Sequence, residues 1–227
     1  MQRRRFSSAA LSAAGLFLVC DAARALGEGE AATGIRAALE RGALAAVNLL
    51  GRTDGFLGNP SVRIELPGVL HDAAKLLAAF GQQRRVDELV TAMNRAAEAA
   101  VPQAKSLLVG AVKAMSIEDA LQILQGGDDS ATRFFAGKTR EPLSVRFLPI
   151  VTRATERVAL AAKYNAVAGK AASLGLVNQD DADVEHYVTG KALDGLFFMI
   201  GEEERKIRRD PVGTGSAILK RVFGSSR

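Results

Sequence analysis

Two pairs of oppositely charged side chains lie inside alanine- and leucine-rich stretches, where they are the residues best placed to do chemistry. Arg95 and Glu98 are three positions apart, and so are Lys191 and Asp194. On a helix this spacing puts both members on one face, where they can form an ion pair. Asn94 adds an amide beside the first pair. Because an unpaired buried charge is costly, these residues predict a polar cluster at the floor of a pocket between helices, a structural network or a solvated face.

A turn-rich segment, residues 52–67, supplies further candidate groups. Its first part is dense in Gly, Asp, Asn and Pro, which predicts an ordered loop or lid. Residues 61–66 alternate as a short strand would, and Pro67 follows. One isolated strand cannot form a sheet, so we expect it to lie extended across helices or to pair with a partner. Side chains from this segment could join the pocket, which gives these candidate binding residues: Asp54, Arg63, Asn94, Arg95, Glu98, Lys191 and Asp194.

The sequence contains no recognisable pattern of metal ligands. Its two histidines, His71 and His186, are far apart, and Cys20 is the one cysteine. A structural zinc site requires four clustered ligands. Residues 180–185 are acidic, but they lack the spacing and central glycine of a calcium-binding EF-hand. They are better explained as the start of a helix, so we predict no bound metal.

Motifs for cofactors and for hydrolysis are also missing. Gly137-Lys138-Thr139 resembles the end of a P-loop, but Thr132 stands where that motif requires glycine. Neither a Gly-x-Ser-x-Gly elbow nor a Ser-x-x-Lys pair occurs after residue 25, and no cysteine nucleophile occurs there. We therefore predict no cofactor and assign no catalytic residue.

The N-terminus has the layout of an export signal. Three consecutive arginines at positions 3–5 precede a run of small and apolar residues that ends at Cys20. This run is shorter than the roughly 20 residues that span a membrane. Ala-Arg-Ala at positions 23–25 fits signal peptidase, so residues 1–25 are predicted to be cleaved and residues 26–227 to form one periplasmic domain. The paired arginines also resemble the twin-arginine signal, so both that route and Sec export fit.

Removal of this leader changes what the composition implies. It contains four arginines and one aspartate, so its loss lowers the formal net charge from +5 to +2. The remaining charges are mixed rather than concentrated on one basic face, and a nucleic-acid partner is not expected. Cys20 leaves as well, so disulfides cannot stabilise the mature chain. Its stability must come from an apolar core, which about 200 residues can form.

Helical patterns dominate the rest of the chain, because alanine and leucine are frequent and β-branched runs are short. Longer helices are predicted over residues 31–50, 68–80, 85–114, 150–174 and 184–209, shorter ones over 116–124 and 130–136, and an amphipathic tail over 213–223. The first of these helices is expected to end at Gly51 and to have one apolar face, formed by Ile35, Leu39, Ala43, Ala46 and Leu50. The predicted fold class is all-α: an irregular multi-helix bundle with one extended, turn-rich segment packed across it. The mature chain contains no predicted transmembrane segment.

Several residues predict where these helices begin and end. Pro102 predicts a kink or a break near residues 99–101, because proline lacks the N–H that a helix needs. Pro142 and Pro149 bracket residues 143–148, which lie between the helices predicted over 130–136 and 150–174. Ser116 and Asp119 resemble a capping box. On the last helix, Glu202–Lys206 and Glu204–Arg208 have the spacing of surface ion pairs.

Several ordered motifs together resemble one known family. They are LGNP at 57–60, VRIELP at 62–67, MNRAAEAA at 93–100, ILQGGD at 123–128, FLPIV at 147–151, YVT at 187–189, KALDGLF at 191–197, EEE at 202–204, IR at 207–208 and DP at 210–211. The chain resembles the exported bacterial helical proteins grouped as domain of unknown function 4197. The resemblance covers essentially all of residues 26–227. It implies a periplasmic helical protein and supplies no established activity or catalytic residue.

Two functions of different classes remain open. The first is a non-catalytic periplasmic binding or interaction protein, which holds an apolar ligand in a loosely packed helical interior or docks a cell-envelope partner. It is preferred because no catalytic motif accompanies the turn-rich segment. The alternative is a cofactor-free enzyme that uses Glu98 or Asp194 as acid or base, which requires the carboxylates to converge in a cleft. The oligomeric state is left open.

Overall fold

A computed structural model describes residues 14–67, 80–173 and 183–210 of the chain. The helices in these ranges are α1 (Ala14–Leu50), α2 (Gln83–Ala100), α3 (Ala104–Lys113), α4 (Ile117–Gln125), α5 (Ser130–Thr155), α6 (Ala159–Ser173) and α7 (Val184–Arg209). No strand occurs in the described ranges, and the all-α fold class is confirmed. The helix predicted over residues 68–80, apart from Phe80, and the tail predicted over 213–223 lie outside the described residues.

The first helix is longer at its N-terminal end than predicted. It begins at Ala14 rather than near residue 31. The predicted apolar face is nevertheless confirmed, because Ile35, Leu39 and Leu50 are all buried. Gly51 follows the helix, as predicted, and its N–H donates to the Val47 carbonyl at 2.9 Å.

Pro102 separates α2 from α3, as its missing N–H predicts. Val101–Gln103 form a single 3₁₀ turn between the two helices. Ala100 and Ala104 on either side of the turn are fully buried. The break therefore lies within the core.

Side-chain caps fix the starts of two helices. The Asp119 N–H donates to Ser116 Oγ at 2.9 Å, and the Ser116 N–H donates to Asp119 Oδ2 at 3.0 Å. The capping box predicted for α4 is thus confirmed. At the start of α7, the His186 N–H donates to Asp183 Oδ1 at 2.7 Å, and α7 spans the predicted residues.

The predicted gap between the helices over residues 130–136 and 150–174 is wrong, because Pro142 and Pro149 both lie inside the continuous helix α5. Both prolines are exposed, so the carbonyls that lose a helical partner lie on the solvent side, where water can bind them. The opposite face of α5 carries Leu143 and Phe147, which are fully buried. Burial of that face outweighs the two missing hydrogen bonds.

The prediction of one helix over residues 150–174 is also wrong, since the chain turns between α5 and α6. At this corner the Thr155 hydroxyl donates to Glu185 Oε1 at 3.0 Å, and Asn165 Nδ2 donates to Glu185 Oε2 at 2.8 Å. The corner therefore packs on the N-terminus of α7. The spacing of apolar residues along the chain cannot predict such a tertiary contact.

The core lies where α5 packs along α7 and α2, while α1 packs on α7, α3 and α4. Its fully buried large side chains include Phe56, Met93, Phe135, Leu143, Phe147 and Leu196. Among the described helices, none is long and apolar enough to cross a membrane.

Candidate functional site

The carboxamide of Asn94 on α2 holds the extended part of the turn-rich segment. Its Oδ1 accepts a hydrogen bond from the Ile64 N–H at 2.9 Å, and its Nδ2 donates to the Ile64 carbonyl at 2.9 Å. A residue of an antiparallel strand would exchange the same two bonds. Asn94 is fully buried. The segment therefore lies extended across the helices, which is one of the two predicted arrangements.

The alternation predicted for residues 61–66 is visible as alternating burial. Val62 and Ile64 are buried, whereas Ser61, Arg63 and Glu65 are exposed. Ser61 and Val62 still belong to a turn, in which the Val62 and Arg63 N–H groups donate to the Asn59 carbonyl. The strand-like part of the segment, with one face on the core, therefore begins at Arg63. Here the core face lies on helices, and the amide of one side chain takes the role of a neighbouring strand.

One turn further along α2, the carboxylate of Glu98 binds the start of the segment. Glu98 Oε1 accepts from the Phe56 N–H at 3.0 Å and from the Leu57 N–H at 3.1 Å. Glu98 Oε2 accepts from Arg95 Nη1 at 2.6 Å. Glu98 is only 5% exposed. Because both of its carboxylate oxygens accept hydrogen bonds, the free-energy cost of burying the charge is offset.

Arg95 links Glu98 to the loop. Its Nη2 donates to Asp54 Oδ1 at 2.8 Å, and Asp54 has a φ of 64°, in the left-handed region. The hydrogen bonds to Glu98, and then to Asp54, raise the pKa of the Arg95 guanidinium above its ordinary value. The predicted pair of Arg95 and Glu98 is confirmed, as part of a network that fastens the loop to α2.

The second predicted pair is wrong. Asp194 forms its ion pair with Arg140 of α5 rather than with Lys191. The Lys191 ammonium instead lies over the Tyr187 ring, 5.7 Å from its centroid, where the electron-rich face attracts a cation. Because α5 packs along α7, a guanidinium from the other helix reaches Asp194, and the spacing within α7 could not reveal it.

Arg63 extends along its own segment. Its Nη1 donates to the Leu57 carbonyl at 3.0 Å, and its Nε donates to Glu65 Oε1 at 2.8 Å. The Tyr187 hydroxyl donates to the Glu65 carbonyl at 3.0 Å. The extended residues are thus held by α2 on one side and by a tyrosine of α7 on the other.

The candidate residues therefore form two groups and not the single predicted pocket. The first group fastens residues 52–67 to α2 and comprises Asp54, Asn94, Arg95 and Glu98. The second group lines a depression on the other side of the segment and comprises Arg63, Lys191 and Asp194. Glu98 and Asp194 belong to different groups, so the two carboxylates considered for catalysis do not line the same depression.

This depression, the α7 groove, lies between residues 61–65 and α7 and has a volume of about 440 Å³. Its walls are Ser61, Val62, Arg63, Ile64, Glu65, Tyr187, Lys191, Asp194, Gly195 and Phe198. The Phe198 side chain is 43% exposed at its edge. Beyond Lys191 and Asp194 a second depression of about 450 Å³ continues towards Arg140 and Ser144.

Two backbone groups of the segment point towards the α7 groove. In an extended chain, successive residues direct their N–H and C=O to opposite sides. Both groups of Ile64 bind Asn94 on α2, so the Arg63 carbonyl and the Glu65 N–H point the other way. Within the described ranges no residue forms a hydrogen bond to either of them. We call this pair of groups the free edge.

Most of the chain, residues 25–224, matches the sequence model of a single protein family. The chain belongs to the family described as protein of unknown function, DUF4197. The resemblance inferred from the ordered motifs is thereby confirmed. No curated protein and no solved structure matched the chain.

This DUF4197 chain has a second buried network, formed by residues that the sequence pattern predicts on the surface. Glu204 is 5% exposed, and its carboxylate accepts from the Ala131 and Thr132 N–H groups, each at 3.0 Å. It thereby caps the N-terminus of α5 from a distant helix. Arg208 pairs with Glu204 at 2.9 Å, as the spacing predicts, but the surface position predicted for the pair is wrong.

Other pairs on α7 of the DUF4197 chain also differ from the prediction. Lys206 pairs with Glu203, and Glu202 pairs with Arg205, each at i,i+3. The predicted i,i+4 pair of Glu202 and Lys206 is therefore wrong. On a helix both spacings bring side chains together, and the sequence alone could not choose between them.

Two residues that shape the groove of the DUF4197 chain are absent from the set predicted from its sequence. Tyr187 is one of only two tyrosines, and a hydroxyl within an apolar helix is a usable signal, because a buried tyrosine normally finds a hydrogen-bond partner. Arg140 gave no comparable signal, since it lies among exposed polar residues of α5.

A metal-ligand cluster or an enclosed apolar cavity would be a further candidate for a binding site. No group of His, Cys, Asp or Glu among the described residues is arranged to hold a metal ion. An apolar cavity between α1, α4 and α7, lined by Ile35, Leu39, Ile123 and Ile207, has a volume of only about 20 Å³. It is large enough for a water molecule rather than for a lipid chain.

Proposed function

We propose that this protein is a non-catalytic binding protein that binds an extended polypeptide segment along residues 63–65, in the α7 groove. The free edge beside an open groove is the observation that carries this proposal. An extended peptide added to an exposed edge gains main-chain hydrogen bonds, and pockets for its side chains provide selectivity.

The geometry of the free edge suits a strand that runs parallel to the segment. In a parallel pair, one residue donates its N–H to the residue before its neighbour and accepts from the residue after it. A peptide residue opposite Ile64 would donate to the Arg63 carbonyl and accept from the Glu65 N–H. Pro67 cannot donate a hydrogen bond, so the edge is short and side chains must contribute much of the affinity.

The segment is held in its binding conformation before any partner arrives. Val62 and Ile64 are buried, Asn94 binds the Ile64 backbone, and Tyr187 binds the Glu65 carbonyl. A preorganised edge avoids the entropy loss of ordering a loop upon binding. The network of Glu98, although remote from the groove, supports function by keeping the loop in place.

The walls of the groove indicate which peptide side chains would fit. The exposed Phe198 ring offers an apolar contact, and Lys191 lies over the Tyr187 ring without a carboxylate partner among the described residues. A peptide with an apolar residue followed by an acidic one would bury the first against Phe198 and pair the second with Lys191.

A lipid enclosed in the helical interior and acid–base catalysis receive less support. The small apolar cavity between α1, α4 and α7 offers no room for a lipid chain. Both oxygens of Glu98 are engaged by the protein itself, and Asp194 is paired with Arg140. Neither carboxylate is placed beside the other for acid–base work, which requires a cleft in which catalytic groups converge.

Selection of random linear peptides on the purified protein tests the proposal. We expect a consensus of alternating character, and in an isotope-labelled protein the selected synthetic peptide should slow hydrogen exchange of the Glu65 amide and shift the Phe198 and Lys191 resonances. Failure to select any peptide, or selected peptides that leave Glu65 unprotected, would contradict the proposal.

We also propose that the protein acts in the periplasm, where its partner would be an exported or envelope protein. The proposal rests on the arginines at positions 3–5, the apolar run and Ala-Arg-Ala at positions 23–25. Mass spectrometry of the protein from a Gram-negative host should find a periplasmic form that starts at Leu26. An uncleaved cytoplasmic chain would contradict it.

A further inference from the structure

A cleft of about 940 Å³ lies between α2 and the corner that joins α5 to α6. One wall is formed by α2 around Arg84 to Ala92, and the other by Arg157 to Leu160 and Lys163. It shares no residue with the α7 groove, and its volume lies within the range of about 300–1,000 Å³ that is usual for small-molecule sites.

The rim of this cleft carries an excess of positive charge. Its two carboxylates are already engaged on α2 itself: Asp87 accepts from Gln83 Nε2 at 2.8 Å, and Glu88 pairs with Arg84 at 3.0 Å. Three further cations line the cleft, namely Arg85, Arg157 and Lys163. In the described part of the chain none of the three forms an ion pair.

The floor of the cleft is apolar. Ala92 from α2 and Val158 and Leu160 from the opposite wall line it, and all three are half-buried. An apolar floor below a cationic rim is complementary to a molecule with one anionic end and one hydrocarbon chain. Guanidinium groups suit a carboxylate in particular, because their planar N–H groups can bind both of its oxygens.

We propose that this cleft binds a single-chain anionic amphiphile, a fatty-acid carboxylate. Its headgroup would lie among Arg85, Arg157 and Lys163, and its chain would cover Val158 and Leu160. This site is independent of the peptide groove, and either one can fail without affecting the other.

Titration of the purified protein with dodecanoate, kept below its micelle concentration and followed by calorimetry, tests this proposal. The double variant Arg157→Gln/Lys163→Gln should weaken binding about tenfold or more, because charge-assisted hydrogen bonds are lost. The matched control Lys105→Gln/Lys113→Gln removes two exposed cations of α3 and should leave binding unchanged. Thermal melting of each variant checks that the fold is retained.

Two further ligands separate the contributions of charge and chain. Dodecanol, which has the chain without the charge, and acetate, which has the charge without the chain, should each bind about tenfold more weakly or worse than dodecanoate. The proposal is overturned if dodecanoate fails to bind at millimolar concentration, or binds the cleft variant as tightly as the unmodified protein. Equal binding of dodecanol or of acetate would overturn it as well.

Discussion

Asn94 binds both the N–H and the carbonyl of Ile64, and its carboxamide thereby takes the place of a neighbouring β-strand. A helix thus supplies the hydrogen bonds that an extended segment normally obtains from a sheet. The consequence is a single strand-like segment with one side satisfied and the other directed into the α7 groove.

Replacing Asn94 by alanine should release this segment locally. Two buried backbone groups of Ile64 would lose their partners, and each costs about 1–3 kcal/mol when it is left unsatisfied. We expect the Ile64 amide to exchange rapidly and the free energy of unfolding to fall by about 2–4 kcal/mol, as measured by hydrogen exchange and urea denaturation. Asn48→Ala on the exposed face of α1 is the control and should change stability by less than about 0.7 kcal/mol.

Loss of the Glu98 carboxylate should destabilise the loop that it binds. Glu98→Ala leaves the Phe56 and Leu57 N–H groups without an acceptor, and we expect a loss of about 2–4 kcal/mol in urea denaturation. The comparison is Glu88→Ala, which breaks the exposed pair with Arg84 and should cost less than about 1 kcal/mol. Equal effects of the two substitutions would show that the buried network does not fasten the loop.

Two glycines of α7 provide a matched pair of substitutions. A Cβ at Gly195 would lie 2.7 Å from a Phe56 ring carbon and 3.3 Å from Val62 Cβ, so Gly195→Ala should push the loop away and cost about 1–3 kcal/mol. At Gly190 nothing lies within 4 Å of the added carbon. Gly190→Ala should therefore stabilise the helix by about 0.5–1 kcal/mol. Thermal and urea denaturation measure both effects, and a stabilised Gly195→Ala would refute the close packing.

The capping box at the start of α4 should make stability depend on acid pH. Hydrogen bonds from the Ser116 backbone, and then from its side chain, lower the pKa of Asp119 below its ordinary value of 3.8. A carboxyl group whose pKa is lower in the folded than in the unfolded protein stabilises the folded state at any pH above its unfolded-state pKa. This stabilisation is lost as the pH falls through the folded-state pKa. Asp119→Asn should therefore be less stable than the unmodified protein near neutral pH, and the difference should narrow below pH 3.8.

An NMR titration of the side-chain carboxyl groups measures the pKa of Asp119 directly. In the unmodified protein Asp119 should titrate below 3.8, and in Ser116→Ala its titration should move upwards, because one hydrogen bond to the carboxylate is removed. Identical titration curves in the two proteins would show that the cap does not set the acidity of Asp119.

Local signals in the sequence predicted much of the helical framework. Ser116 with Asp119, Pro102 and Gly51 act through their immediate neighbours, by capping, by a missing donor and by helix termination. Their consequences therefore follow from spacing alone. The alternation of residues 61–66 predicted their burial for the same reason.

The predictions that the structure contradicts fail for another reason, which is contact between residues distant in sequence. The sequence predicts two separate helices on either side of Pro142 and Pro149, but burial of the opposite face of α5 keeps that helix continuous. The sequence pattern predicts Glu204 on the surface, because nothing near it in sequence reveals that it caps α5. Asp194 pairs across helices with Arg140, a partner that no periodicity within α7 could identify.

The proposed peptide site depends most directly on one N–H group, that of Glu65. Glu65→Pro removes this donor and places a ring at the free edge, while proline remains compatible with an extended chain. Glu65→Ala removes only the side chain and keeps the N–H. Because no described residue accepts from this N–H, both variants should remain folded, which thermal melting verifies.

The affinity of both variants for a synthetic peptide selected on the unmodified protein is the decisive measurement. We predict that Glu65→Pro binds the peptide about tenfold more weakly or worse, whereas Glu65→Ala binds within about threefold of the unmodified protein. Equal affinity of the proline and alanine variants would contradict peptide addition at this edge.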